Sequence, residues 1–166
     1  MNTHSQDYTD NLHLLGTGRL PLPQNGPSVT LLEAFPNRFQ KRPYIISISF
    51  PEFTSLCPVT GQPDFGCISV EYVPDHLCVE SKSFKLYMFA FRNHQSFMET
   101  ITNTVLDDLC TLLTPCWCRV KGLFAPRGGT RIHVFAETFK PMPSEQNNQV
   151  REAVAAWKVE ANPHQP

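Results

Sequence analysis

A chain of 166 residues with 41% hydrophobic content can bury one real core. Its 14 Lys and Arg nearly cancel 15 Asp and Glu, which excludes broad electrostatic binding to nucleic acid or to an anionic membrane. No apolar run approaches the roughly 20 residues of a membrane span, and the polar, acid-containing start MNTHSQDYTDNLHLLG lacks the basic end and apolar stretch of a secretion signal. The expectation is a cytoplasmic protein whose six cysteines (57, 67, 78, 110, 116 and 118) stay reduced.

Residues 1–30 are polar and rich in Pro, Gly, Asn and Thr, and read as a flexible N-terminal arm. The compact domain spans 31–140 and opens on LLEAFPNR (31–38). YIISISF (44–50) is rich in β-formers, and CISVEYV (67–73) alternates apolar Ile68, Val70 and Tyr72 with the residues between. Two helical stripes follow. Phe84, Tyr87, Met88 and Phe91 recur at i, i+3, i+4, i+7, and Phe97, Ile101, Val105, Leu109 and Leu112 continue the pattern. Ser96 and Glu99 match an S-x-x-E capping box at the second helix. CWCRVKGLF (116–124) and RIHVFAETF (131–139) alternate again, joined by the short hairpin connection APRGG (125–129). A C-terminal extension, 141–166, carries one short helix over 148–160. The order is ββααββ. This predicts an α+β fold with a four-stranded antiparallel sheet and two helices on one face. Such a small sheet has exposed edges, and pairing between subunits would cover them.

Four stretches could carry chemistry. In CPVTGQPDFG (57–66), Cys57 is either a small buried hydrophobe or a surface nucleophile whose thiolate is stabilised by its surroundings. Asp64 is either turn chemistry or a proton donor. In VESKSFKLY (79–87), Lys82 and Lys85 with Ser81 and Ser83 form either a capped helix with a solvated basic face, the reading the segment favours on its own, or, beside a helix N-terminus, a phosphate site. In RNHQSFME (92–99), Glu99 could serve the capping box or accept two N–H groups from a heterocycle edge, and His94 reads as a polar loop residue. In PRGGTRI (126–132), Arg127 and Arg131 admit a weaker anion-binding reading. Cys116 and Cys118 are separated by one residue, closer than the usual zinc pair. There is no GxGxxG after a strand, no Walker motif and no HExxH.

Together LEAFPNR, CPVTGQPDFG, VESKSFKLYMFAFRNH and FAPRGGTRI resemble the NADPH-dependent 7-cyano-7-deazaguanine reductases of queuosine biosynthesis, of the short single-domain type. The resemblance covers about residues 31–139. It implies the tunnelling fold, whose ββααββ units join into a barrel, typically as a homodecamer of two pentamers with substrate sites between subunits. It implies NADPH as co-substrate, a deazapurine nitrile as substrate and no metal. Cys57 matches the nucleophile that forms a covalent thioimide, and Asp64 matches the acid that protonates the nitrile nitrogen. Val79, Glu80, Ser81, Met98 and Glu99 match substrate-contacting positions, and Ser81, Lys82, Ser83 and Lys85 match the cofactor segment. One residue departs from the pattern. The family usually has His before the glutamate, whereas this chain reads Phe97-Met98-Glu99, and a thioether supplies packing but no proton. Two other readings stay open: a zinc-dependent relative of GTP cyclohydrolase, and a non-catalytic purine- or pterin-binding protein.

Overall fold

The computed structural model describes residues 26–160. Most of the expected arm, and the end of the C-terminal extension, lie outside those residues. The chain passes through a short 3₁₀ turn, then β1 (Ala34–Pro36), β2 (Ile46–Leu56), β3 (Pro63–Val73), β4 (Leu77–Val79), α1 (Ser81–Phe89), α2 (Met98–Leu113), β5 (Trp117–Phe124), β6 (His133–Phe139) and α3 (Ser144–Glu160). Strands β2-β3-β5-β6 form an antiparallel sheet in that order, which is the α+β arrangement expected. β1 and β4 add a second antiparallel pair. The sequence reading missed that pair, because three residues are too few to show alternation.

β2 and β3 are also longer than expected. β2 runs past Phe50 to Leu56, and β3 begins at Pro63. Phe50 pairs with Ile68 while Phe53 pairs with Gly66, so β2 holds one more residue than its partner across this interval. That is a β-bulge. It breaks the alternation at the point where the expected strand stopped. The loop expected over 57–66 therefore shrinks to the turn 57–62, and Asp64 sits on β3.

One sheet face lies under α1 and α2. Ile68, Val70, Tyr72 and Val120 are wholly buried there with Phe84, Tyr87, Ile101, Val105 and Leu109. Each such side chain contributes about 1.5–3 kcal/mol by leaving water. Within α2 the buried stripe starts at Met98, not Phe97, which is 58% exposed. Residues of opposite parity, Val73 and Trp117, face the other way and pack against Val150 and Val154 of α3. α3 is one turn longer than expected, starting at Ser144. Gly66 allows β3 and β5 to meet closely: a Cβ there would lie 2.7 Å from the Leu123 carbonyl oxygen. Among the described residues, no helix is long and apolar enough to cross a membrane.

Candidate active site

Three segments converge where β2 ends. Leu56 donates its N–H to His94 O (3.0 Å) and accepts from Ser96 N–H (3.1 Å), which ties the α1–α2 link to the strand end. The next residue is Cys57. Its N–H bonds Gln62 O (2.8 Å), its carbonyl accepts from Gly61 N–H (2.9 Å), and Gly61 takes a φ of 67°. This turn returns the chain into β3, where Asp64 lies opposite Ser55. The third segment is the β5–β6 hairpin. Arg127 and Thr130 exchange two backbone hydrogen bonds of 2.9 Å around Gly128 (φ 56°) and Gly129 (φ 81°). Positive φ at both central residues is the tight hairpin turn that glycine permits. Ala125 N–H bonds Phe65 O (2.7 Å), fixing the hairpin beside Asp64.

These segments enclose a cleft of about 350 Å³ lined by Cys57, Asp64, Met98, Glu99 and Arg127 among others. The Cys57 thiol is lowered from 9.0 to about 6. The Thr60 hydroxyl is the largest cause, followed by the Thr60 and Val59 N–H groups and the Arg127 side chain. Donors aimed at sulfur favour the thiolate. Cys57 is only 7% exposed, yet burial is the smallest influence on it, because its sulfur faces the open cleft. Asp64 is 3% exposed, and Arg127 Nε stands 3.0 Å from its Oδ1. That contact is an ion pair outside hydrogen-bond geometry. Asp64 Oδ1 and its cross-strand neighbour Ser55 Oγ are both buried without a hydrogen-bond partner among the described residues.

The capping box expected at α2 does not form. The cap position is Phe97, with no side-chain hydrogen bond. Ser96 falls one residue too early and Glu99 only two residues past the cap, so the reciprocal bonds have no frame to close in. Glu99 is thereby exposed on the cleft instead of folded back on the helix. Met98 is buried beside it, in the position where the resemblance places histidine.

The start of α1 takes the capped form, one of the two readings of its sequence. Glu80 is its cap and accepts from Lys82 N–H (2.8 Å) and Ser83 N–H (2.7 Å). The amides that the phosphate reading would use are thus held by a carboxylate of the same chain. Ser83 is wholly buried; its hydroxyl donates to Glu80 O (2.8 Å) and accepts from Glu33 N–H (2.9 Å). Val79 and Glu80 are buried, Lys82 is half-buried, and Ser81 and Lys85 are exposed. None of these six residues lines the cleft of the single chain. The sequence reading missed Thr60 and Ser55. Thr60 sits inside the quoted turn, three residues from the thiol, and that spacing was the available signal.

All six cysteines are free thiols. Among the described residues, no group of three or more His, Cys, Asp or Glu side chains could hold a metal ion.

Residues 63–143 match the family model described as QueF-like protein. The chain is 76% identical, over the full length of both proteins, to the NADPH-dependent 7-cyano-7-deazaguanine reductase of Desulfovibrio desulfuricans. It is 66% identical to that of Nitratidesulfovibrio vulgaris over 99% of each chain, and 47% identical to that of Streptococcus thermophilus over 86% of each. The crystal structure of the archaeosine synthase QueF-Like in the apo form superposes with a TM-score of 0.54 at 21% identity, covering 60% of this chain and 96% of that one, a likeness of fold. By identity over its whole length, the chain belongs to the family of NADPH-dependent 7-cyano-7-deazaguanine reductases.

Proposed function

We propose that this protein reduces the nitrile of 7-cyano-7-deazaguanine to the primary amine of 7-aminomethyl-7-deazaguanine, with NADPH as reductant, in the biosynthesis of queuosine. The observation that carries the reading is one cleft holding a stabilised thiol, a buried carboxyl group and an exposed glutamate.

The chemistry follows from those groups. Hydride addition straight to a nitrile would leave an unstabilised nitrogen anion. Cys57 sulfur bonds the nitrile carbon first, and Asp64 gives its proton to the nitrogen, so the triple bond becomes a neutral thioimide. NADPH supplies hydride, and two equivalents take the carbon to the amine level. Glu99 accepts the N–H edge of the deazaguanine. Val79, Glu80 and Ser81 contact the substrate, and Met98 packs against it. Ser81, Lys82 and Lys85 meet the NADPH phosphates through side chains, since Glu80 already holds the amides of Lys82 and Ser83. Ser83 props that turn from inside.

The segment 79–85 reaches the cleft across a subunit boundary. β2 and β6 are the outer strands of the sheet, and their edges suit pairing with further copies into the barrel of the tunnelling fold. The assembly is a homodecamer of two pentamers built on the 31–140 unit.

NADPH oxidation followed with 7-cyano-7-deazaguanine should consume about two cofactors per nitrile by this stoichiometry. Cys57→Ala should abolish turnover, and mass spectrometry of the parent without NADPH should find substrate attached to Cys57. A fully active Cys57→Ala protein would sink the proposal.

A further inference from the structure

Arg127 takes no bond-making or proton-giving step in the reaction of Cys57 and Asp64. Its backbone is locked by the Gly128–Gly129 turn and by the Ala125–Phe65 hydrogen bond, so its place beside β3 does not depend on its side chain. That side chain stands 3.0 Å by its Nε from Asp64 Oδ1 and shares the cleft wall with Cys57, whose thiolate it favours. The charged groups facing Cys57 across the cleft are Asp64 from β3, Arg127 from the hairpin and Glu99 from α2.

We propose that Arg127 is the shared counter-charge of the addition step, holding one guanidinium against the Cys57 sulfur and the Asp64 carboxyl group while negative charge passes from the first to the second. The proposal rests on the reductase reading of the cleft. Its balance is simple. The step starts from a thiolate and a protonated carboxyl group. A sulfur electron pair makes the S–C bond, one π pair of the nitrile moves onto nitrogen, and nitrogen takes the Asp64 proton. One negative charge leaves sulfur and one appears on the carboxylate, with no oxidant or reductant involved. A cation touching only one of the two would favour the start or the finish. A cation held between both stabilises the charge throughout its passage, including the transition state. The planar fork of arginine suits that task, and the point charge of lysine does not. The Arg127–Asp64 ion pair in the structure corresponds to the charge resting on the carboxylate.

The test uses the full chain with Arg127→Gln and Arg127→Lys. Two quantities are read: the pH midpoint of iodoacetamide alkylation at Cys57 without substrate, and the single-turnover rate of the Cys57–nitrile adduct without NADPH. Arg127→Gln should raise the midpoint by about half a pH unit, less than loss of the Thr60 hydroxyl, and slow the adduct about tenfold or more. Arg127→Lys should keep most of the midpoint, because a nearby positive charge suffices for sulfur, yet form the adduct slowly. Midpoint and adduct rate both within about twofold of the parent in Arg127→Gln would overturn the proposal. Full rescue of the adduct rate by lysine would overturn the sharing between two groups. A parent protein with an Arg127-dependent midpoint that never forms the adduct would refute the reductase reading, and the charge passage with it, while upholding the contact of Arg127 with the thiolate.

Discussion

Replacing Thr60 with valine keeps the side-chain shape and removes one hydroxyl, the largest of the influences that lower the Cys57 thiol from 9.0 to about 6. Three backbone and side-chain donors remain, so the change should return about one of the three pH units. Two effects then oppose each other. With the midpoint near 7, the thiolate fraction at pH 6 drops from about one half to about one tenth. The more basic thiolate is also intrinsically more nucleophilic, by about threefold for a Brønsted slope of 0.4–0.5. Alkylation should therefore fall about twofold at pH 6 and rise about threefold at pH 9, with the two profiles crossing at about pH 6.6. The assay is iodoacetamide labelling across pH, quantified on the peptide that contains Cys57, with Cys57→Ala as the blank. A loosened turn would speed labelling at every pH. Parallel profiles, or an unmoved midpoint, would refute the hydrogen-bond origin of the thiolate.

Gly66→Ala would place a methyl against the Leu123 carbonyl, a backbone atom that cannot rotate away. The expected loss is about 1–3 kcal/mol in urea unfolding, and an unchanged midpoint would contradict that close approach. Glu80→Ala strips the cap from α1 and should cost about 1 kcal/mol, read as a lower thermal midpoint. Full stability in that variant would show that the two amides find other partners. Met98→His puts a polar ring into a buried position and should cost about 1–3 kcal/mol with no gain in turnover. Faster turnover at unchanged stability would show that a histidine contact is missing from this chain.

The large sheet was legible because half-buried strands alternate: Ile68, Val70 and Tyr72 announce β3, and Ile132, Val134 and Ala136 announce the last strand, although Ile132 falls just before β6 begins. Ile101, Val105 and Leu109 announce α2 in the same way at helical spacing. Cys57 and Asp64 were legible as a pair because the prolines and glycines around them set them apart. What escaped depends on contacts between distant segments. Ser96 is tied through its N–H to Leu56, forty residues earlier, and Phe97 takes the cap position of α2. The link of Arg127 to Asp64 needs the hairpin to be tied to β3 through Ala125 and Phe65, and no local pattern records that tie.

The extra residue of β2 between Phe50 and Phe53 acts as a phase shift. Ile46, Ile48 and Phe50 meet the helical layer at even positions, whereas Phe53 and Ser55 are buried at odd ones. Cys57 continues the odd set. Ironed into plain alternation at its present length, this interval would turn Phe53 out of the core and the thiol out of the cleft together; deleting the one extra residue instead would leave a regular strand with Phe53 still facing inward opposite Gly66. Packing at Phe53 and aim at Cys57 thus depend on the same bulge.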